Sequence, residues 1–148
     1  MSWTDFVKNK IISYTTETGH LYKNACQGGA IVGTDGTVWA SQDLTVDKTV
    51  VEKLNKIFQN KGATSDVSAI DIGGDHYMIT NFNADSNSMY LKCAGGGACV
   101  ALSNKAYIIG TFKVAKTMAI DGVEKNQNVG YCNSAVENLQ QHFISIGY

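Results

Sequence analysis

Between residues 67 and 114 the chain reads as five short runs: Val67–Ile72, His76–Phe82, Ser88–Cys93, Ala98–Leu102 and Ala106–Val114. They are rich in Ile, Val, Tyr and Phe, and their apolar residues recur with a period of two. Turn signals part them: Gly73-Gly74-Asp75, Asn83-Ala84-Asp85-Ser86-Asn87, Gly95-Gly96-Gly97 and Ser103-Asn104-Lys105. Such links are too short for a parallel crossover, so neighbouring strands must run antiparallel. Upstream, Ala30–Val32 and Thr37–Trp39 flank Asp35-Gly36, a strong hairpin marker. The pattern predicts seven strands in an antiparallel meander.

Helical spacing brackets this block. Ser2 with Asp5 forms a box-like helix start, and Trp3, Val7, Ile11 and Tyr14, with Phe6 beside them, recur as one helix's stripe until Thr15–Gly19. Val50, Leu54, Ile57 and Phe58 mark a second helix, with Thr45 or Asp47 as its cap and Asn60-Lys61-Gly62 as its end. Cys132, Val136, Leu139, Phe143 and Ile146 form the face of a last one. Residues His20–Gln27 read as polar and irregular, and Lys116–Val129 as a long loop or hairpin extension. The fold class is α+β, with helices packed on the sheet.

Composition narrows the function. A chain of 148 residues is most simply one domain, spanning 1–148, with one core. The twelve basic residues are all lysine, and the net charge is −1. Without arginine the chain lacks the fork that reads phosphates and bases, so nucleic-acid binding is not expected. No apolar run reaches membrane-spanning length, and the start does not read as a signal peptide. Cys26, Cys93, Cys99 and Cys132 then read as reduced thiols of a cytoplasmic protein.

Five stretches taken together resemble the profilin family. They are Met1-Ser2-Trp3, Gly33–Ala40, Gly73–Ile79, Asn104–Gly110, and Cys132-Asn133 heading the last helix. They keep the family's order from Ser2 to Tyr148, with two longer segments near 20–27 and 116–129. The resemblance implies a seven-stranded sheet with both terminal helices on one face and the remaining helix on the other. It also implies a monomeric, cytoplasmic, cytoskeletal protein without cofactor or bound metal. Such a protein binds monomeric actin, regulates its polymerisation, and links it to proline-rich proteins such as actin nucleators.

The polyproline groove implied by the resemblance falls on Trp3, Phe6, Trp39, His142 and Tyr148. The family usually has tyrosine where Phe6 stands, so one hydroxyl donor is absent. Physical chemistry agrees with the assignment. A polyproline II ligand is pre-ordered and offers flat rings and bare carbonyls, suiting a row of aromatic faces with N–H and O–H donors. His142 lies off the Leu139–Phe143 stripe, which favours a surface role.

The implied actin face falls on Lys92, Lys105, Phe112, Gly130, Asn133 and Glu137. The matching strand, Cys99–Ser103, carries no lysine where family members commonly do. Sparse positive charge predicts weak, salt-sensitive actin binding. Many family members bind phosphoinositides, but that needs the basic clusters this chain lacks.

Other signals carry little. Gly95-Gly96-Gly97 has no following helix or Gly-Lys-Ser/Thr, so a turn explains it better than a phosphate loop. Cys93 and Cys99 straddle that turn, where they could face each other, yet no Cys/His quartet of a zinc site accompanies them, and they read better as small buried hydrophobes. Cys132 and His142 lie about 15 Å apart along one helix, beyond nucleophile–base reach. Asp71, Asp75 and His76 read as turn and surface residues, and no catalytic constellation emerges. The competing reading is a sensor or trafficking scaffold of the roadblock, longin or PAS kind, which shares the coarse architecture without needing the terminal aromatics.

Overall fold

A computed structural model describes residues 2–61 and 67–148. Met1 of the first matched stretch and Gly62 of the expected helix stop lie outside the described residues. Three α-helices, one π-helical segment and eleven strands are present among those described.

Seven strands form the main sheet, and they are the five period-two runs together with the two strands of the Asp35-Gly36 hairpin. They are β3 (Gly28–Gly33), β4 (Val38–Gln42), β5 (Ala69–Ile72), β6 (Asp75–Asn83), β7 (Ser88–Cys93), β8 (Gly96–Leu102) and β9 (Ala106–Lys113). Their order is β4-β3-β9-β8-β7-β6-β5, antiparallel throughout. From β4 at one edge the chain crosses by α2 (Lys48–Gln59) to β5 at the other. It then meanders back until β9 docks on β3.

Helices cover both faces, which is why β3, β8 and β9 are buried on both sides. On one face Ala30, Val32, Val100, Tyr107 and Ile109 pack with Val50, Val51, Leu54, Ile57 and Phe58 of α2. Asp47 caps that helix, its Oδ1 accepting from the Val50 N–H at 3.0 Å, so Thr45 is not the cap. On the other face Ile31, Ala101 and Ile108 pack with both chain ends. The last helix, α3 (Val129–Ser145), contributes Cys132, Val136, Leu139 and Phe143. Its close approach requires Gly110: a Cβ there would stand 2.9 Å from Val136 Cγ2 and 3.1 Å from Cys132 Sγ. Ile146, expected on the buried face, sits past the helix end and is exposed.

The first helix departs from its expected form. Ser2 and Asp5 do form the reciprocal cap of α1 (Trp3–Phe6). The chain then widens into a π-helical segment, Val7–Ile12, closed by a Ser13 N–H to Lys8 carbonyl bond of 3.2 Å. Tyr14 therefore leaves the helical stripe and begins β1 (Tyr14–Thr15). Its tertiary partners explain this. Its ring stacks on Tyr22 with centroids 4.8 Å apart, and its hydroxyl donates to the Tyr131 carbonyl at 3.1 Å.

The two longer segments pair with each other. β2 (Leu21–Lys23) lies inside the stretch read as irregular, and β10 (Thr117–Ile120) and β11 (Val123–Asn126) lie inside the stretch expected as a long loop or hairpin extension, and form a hairpin. With β1 they make a second sheet, ordered β1-β2-β10-β11. Asp121 and Gly122 turn the β10–β11 hairpin with φ of 50° and 82°, as a two-residue primed turn demands. Buried Gln127 ties the pieces together: Oε1 accepts from the Lys113 N–H, and Nε2 donates to the Asn24 carbonyl.

The cysteines are free thiols, as expected, but one pair is placed differently. Cys93 packs on the α2 face and Cys99 on the α3 face, so the two do not meet across the glycine turn. Cys26, Cys99 and Cys132 are buried free thiols; the contact with Cys132 and then burial push Cys99 far above the usual thiol range, and burial above all does the same to Cys132.

A candidate peptide groove and a second face

The ends of the chain build a row of aromatic rings. Trp3, on α1, lies 4.7 Å from Trp39 on β4 and 5.8 Å from Phe6. Tyr148 stands edge-on to both tryptophans at 5.3 and 6.0 Å, and Phe6 reaches His142 of α3 at 5.9 Å. Beneath them buried Phe143 supports Trp3 and Phe6 edge-to-face. All five residues that the resemblance assigned to a groove are thus brought together. Trp3, Phe6 and Trp39 are half-buried, while His142 and Tyr148 are exposed. Neither indole N–H has a hydrogen-bond partner among the described residues.

Two features that sequence reasoning did not single out position this row. Gly33 gives room to Trp39: a Cβ there would lie 3.0 Å from the indole Nε1 and 2.7 Å from Asp35 Oδ1. Asp35 itself holds the turn by accepting from the Thr37 N–H at 2.9 Å, and that bond lowers its carboxyl pKa. The β8–β9 turn anchors Tyr148, whose carbonyl accepts from Ser103 Oγ at 2.8 Å and the Lys105 N–H at 2.6 Å. Gly33 was visible as a small residue next to the turn. Nothing in the sequence marks the Ser103–Tyr148 contact.

The residues assigned to an actin face divide. Lys92, Gly97 and Phe112 follow one another across β7, β8 and β9 on the face that carries α3. Lys92 is exposed, whereas Phe112 is buried against Gly97 and contributes little surface. Gly130, Asn133 and Glu137 lie along the first turns of α3, and Glu137 accepts from Ser88 Oγ at 3.0 Å, joining helix to β7. Between them Tyr90 is half-buried, and burial followed by the Glu137 carboxylate raises its phenol pKa. Exposed Met78 stands beside Lys92 in the cross-strand register. Lys105 does not join this group. It sits at the opposite end of β9, roughly 20 Å away at strand rise, with its ammonium 5.3 Å over the Tyr148 ring. That cation–ring contact belongs to the aromatic row.

Comparisons with known proteins agree on one family. The Profilin family model matches residues 1–148. Profilin of Tetrahymena pyriformis is 35% identical over 137 residues, covering 81% of this chain and 88% of that protein. Profilin IB of Acanthamoeba castellanii superposes with a TM-score of 0.74 at 23% identity, over 99% of this chain and 100% of that one. Two solved complexes share the fold at lower identity. LokiProfilin1 with rabbit actin gives a TM-score of 0.61 at 14% identity, over 82% of this chain and 84% of that one. Mouse profilin IIa with a double repeat from the FH1 domain of mDia1 gives 0.54 at 15%, over 83% and 89%.

Proposed function

Because the chain belongs to the profilin family, we propose that it binds monomeric actin, regulates its polymerisation, and holds proline-rich segments in the groove between its first and last helices. The observation that carries the second half is the aromatic row running from Trp39 and Tyr148 through Trp3 and Phe6 to His142. A polyproline II chain has no N–H groups to satisfy and presents rings and carbonyls. The row offers matching faces, with indole N–H and phenol O–H donors and the His142 imidazole between them. At about 3.1 Å per residue it accommodates roughly five or six prolines. Lys105 holds Tyr148 from above and serves the groove in this reading, not the actin face.

For actin, the supporting observation is a continuous surface made by Lys92, Tyr90 and Met78 with the first turns of α3. Its charges are few and of both signs, exposed Lys92 against half-buried Glu137. The encounter is therefore only weakly steered, and affinity rests on apolar and hydrogen-bond contacts. The scaffold reading gives no role to a surface row of five aromatic groups.

Both tryptophans of the chain stand in the row, so intrinsic fluorescence reports on the groove directly. Titration with decaproline is expected to give a saturable change, and sedimentation with monomeric actin a stoichiometric complex. A flat fluorescence titration overturns the groove, and failure to bind actin overturns the first half.

A further inference from the structure

Beyond His142 the groove does not end. It opens into a concavity of about 790 Å3 between the end of the π-helical segment and α3. Buried Tyr14 and Leu139 line it, and its rim carries Asn138, Gln141 and His142 on one side, Lys10 and the Thr15–Thr18 turn with Glu17 on the other. The volume falls within the range of about 300–1,000 Å3 usual for ligand clefts. His142 belongs to both parts: it faces Phe6 in the aromatic row and borders the concavity. Lys10, in the π-helical segment, lies four residues after Phe6 of α1. A chain lying along the row is thus directed into this space.

The hydrogen-bonding character changes at that boundary. The indoles and Tyr148 present N–H and O–H donors, which suits prolines, since they carry acceptors alone. The concavity adds acceptors: the Glu17 carboxylate and the amide oxygens of Asn138 and Gln141. Among the described residues none of these side chains, nor Lys10, makes an internal hydrogen bond or ion pair. Acceptors facing a peptide are of use only where it has N–H groups, that is, where it is no longer proline. One lysine against one glutamate favours neither strongly acidic nor strongly basic sequence.

We propose that this concavity is a specificity subsite that receives the non-proline, uncharged polar residues adjoining a proline run, through their backbone N–H groups. The proposal rests on the groove reading above. The Thr15–Thr18 turn, held where β1 pairs with β2, forms one wall, so the second sheet shapes which proline-rich partner is accepted.

The test compares five peptides by tryptophan fluorescence and calorimetry: decaproline, hexaproline, hexaproline with a Ser-Gln-Ser-Gln tail at its amino end, the same with the tail at its carboxy end, and the tighter-binding tailed peptide with its tail amides N-methylated. The tail is expected to tighten hexaproline binding by about tenfold, the worth of one or two net hydrogen bonds, and N-methylation to remove the gain. The combined variant Glu17→Ala, Asn138→Ala, Gln141→Ala is expected to lose the gain while keeping decaproline affinity and its far-ultraviolet dichroism. If decaproline binds but no tail improves on hexaproline, or the gain survives N-methylation or the triple variant, the subsite is overturned and the groove stands. If decaproline itself does not bind, the groove reading falls and the subsite falls with it.

Discussion

The indoles of Trp3 and Trp39 meet at 4.7 Å with their planes tilted by 41°. A residue from the first helix and one from the edge strand β4 thereby form a single bent platform. Neither ring is enclosed, since both are half-buried and rest on Phe143 and Tyr148. The platform depends on the approach of the chain's two ends, and its energetics can be separated from those of the core.

Trp39→Ala removes one stacking face and one donor. Hot-spot aromatics cost about 2 kcal/mol or more on truncation, roughly a thirtyfold loss of affinity. Stability is expected to fall by much less than the roughly 3–5 kcal/mol of an emptied buried tryptophan site. Decaproline titration alongside urea unfolding checks both. A variant that keeps its affinity but unfolds several kcal/mol more easily makes Trp39 a core residue.

Gly33→Ala touches no proposed ligand contact, yet its Cβ would lie 3.0 Å from Trp39 Nε1 and 2.7 Å from Asp35 Oδ1. Displacing the indole or the turn is expected to cost about 1–3 kcal/mol, the usual range for overpacking. Decaproline affinity is expected to fall with it. An unchanged affinity in a folded variant would mean that the indole position is immaterial.

For actin, Lys92 is the exposed cation beside the first turns of α3. Weakening of the complex is expected as salt rises, because exposed charges are screened within about 10 Å at 0.1 M. Lys92→Ala is expected to remove most of that dependence while changing low-salt affinity by about 1 kcal/mol or less. Sedimentation at two ionic strengths decides. A salt slope identical in the variant would place the relevant charge elsewhere.

The second sheet has its own pH signature. Asp121 accepts from the Leu21 N–H at 2.9 Å and faces His20 Nδ1 at 2.6 Å, and these contacts, the backbone bond first, lower its carboxyl pKa. A depressed folded-state value contributes stability above the unfolded pKa, near 3.9, and loses it as pH falls through the folded one. Asp121→Asn is therefore expected to be less stable than the parent at pH 6 and to converge with it as pH falls through the lowered folded-state value. Denaturant unfolding across that range measures the difference. A gap that persists in acid would show that the side chain acts through shape instead of charge.

Much of the fold was legible because its signals are local. Period two with β-prone residues marked the five strands from Ala69 to Lys113, and the Asp35-Gly36 turn signal marked the two before them. Asp47 and Ser2 were readable as caps, and the stripes of α2 and α3 as buried faces. The hairpin at Asp121-Gly122 carried the same dipeptide signal as Asp35-Gly36. It was obscured by flanks, Thr117–Ile120 and Val123–Asn126, that show no clear alternation. Of the candidate site, the aromatic set came from its resemblance to a family pattern. Its supports, Gly33 and the Ser103–Tyr148 anchor, did not.

By itself, the sequence determined the α+β class, the strand count of the main sheet and the helix faces, since dihedral sterics and burial periodicity act on neighbouring residues. Tertiary structure decided the rest. Tyr14 left its helical stripe because Tyr22 and the Tyr131 carbonyl offered a stacked, hydrogen-bonded strand position. Residues 20–27 and 116–129 became one sheet because each supplied the other's missing backbone partners. Lys105 turned to Tyr148, not to Lys92, because β9 carries it to the far end of the sheet. Each outcome turns on a partner distant in sequence, and no local period encodes a contact formed only when the whole chain packs.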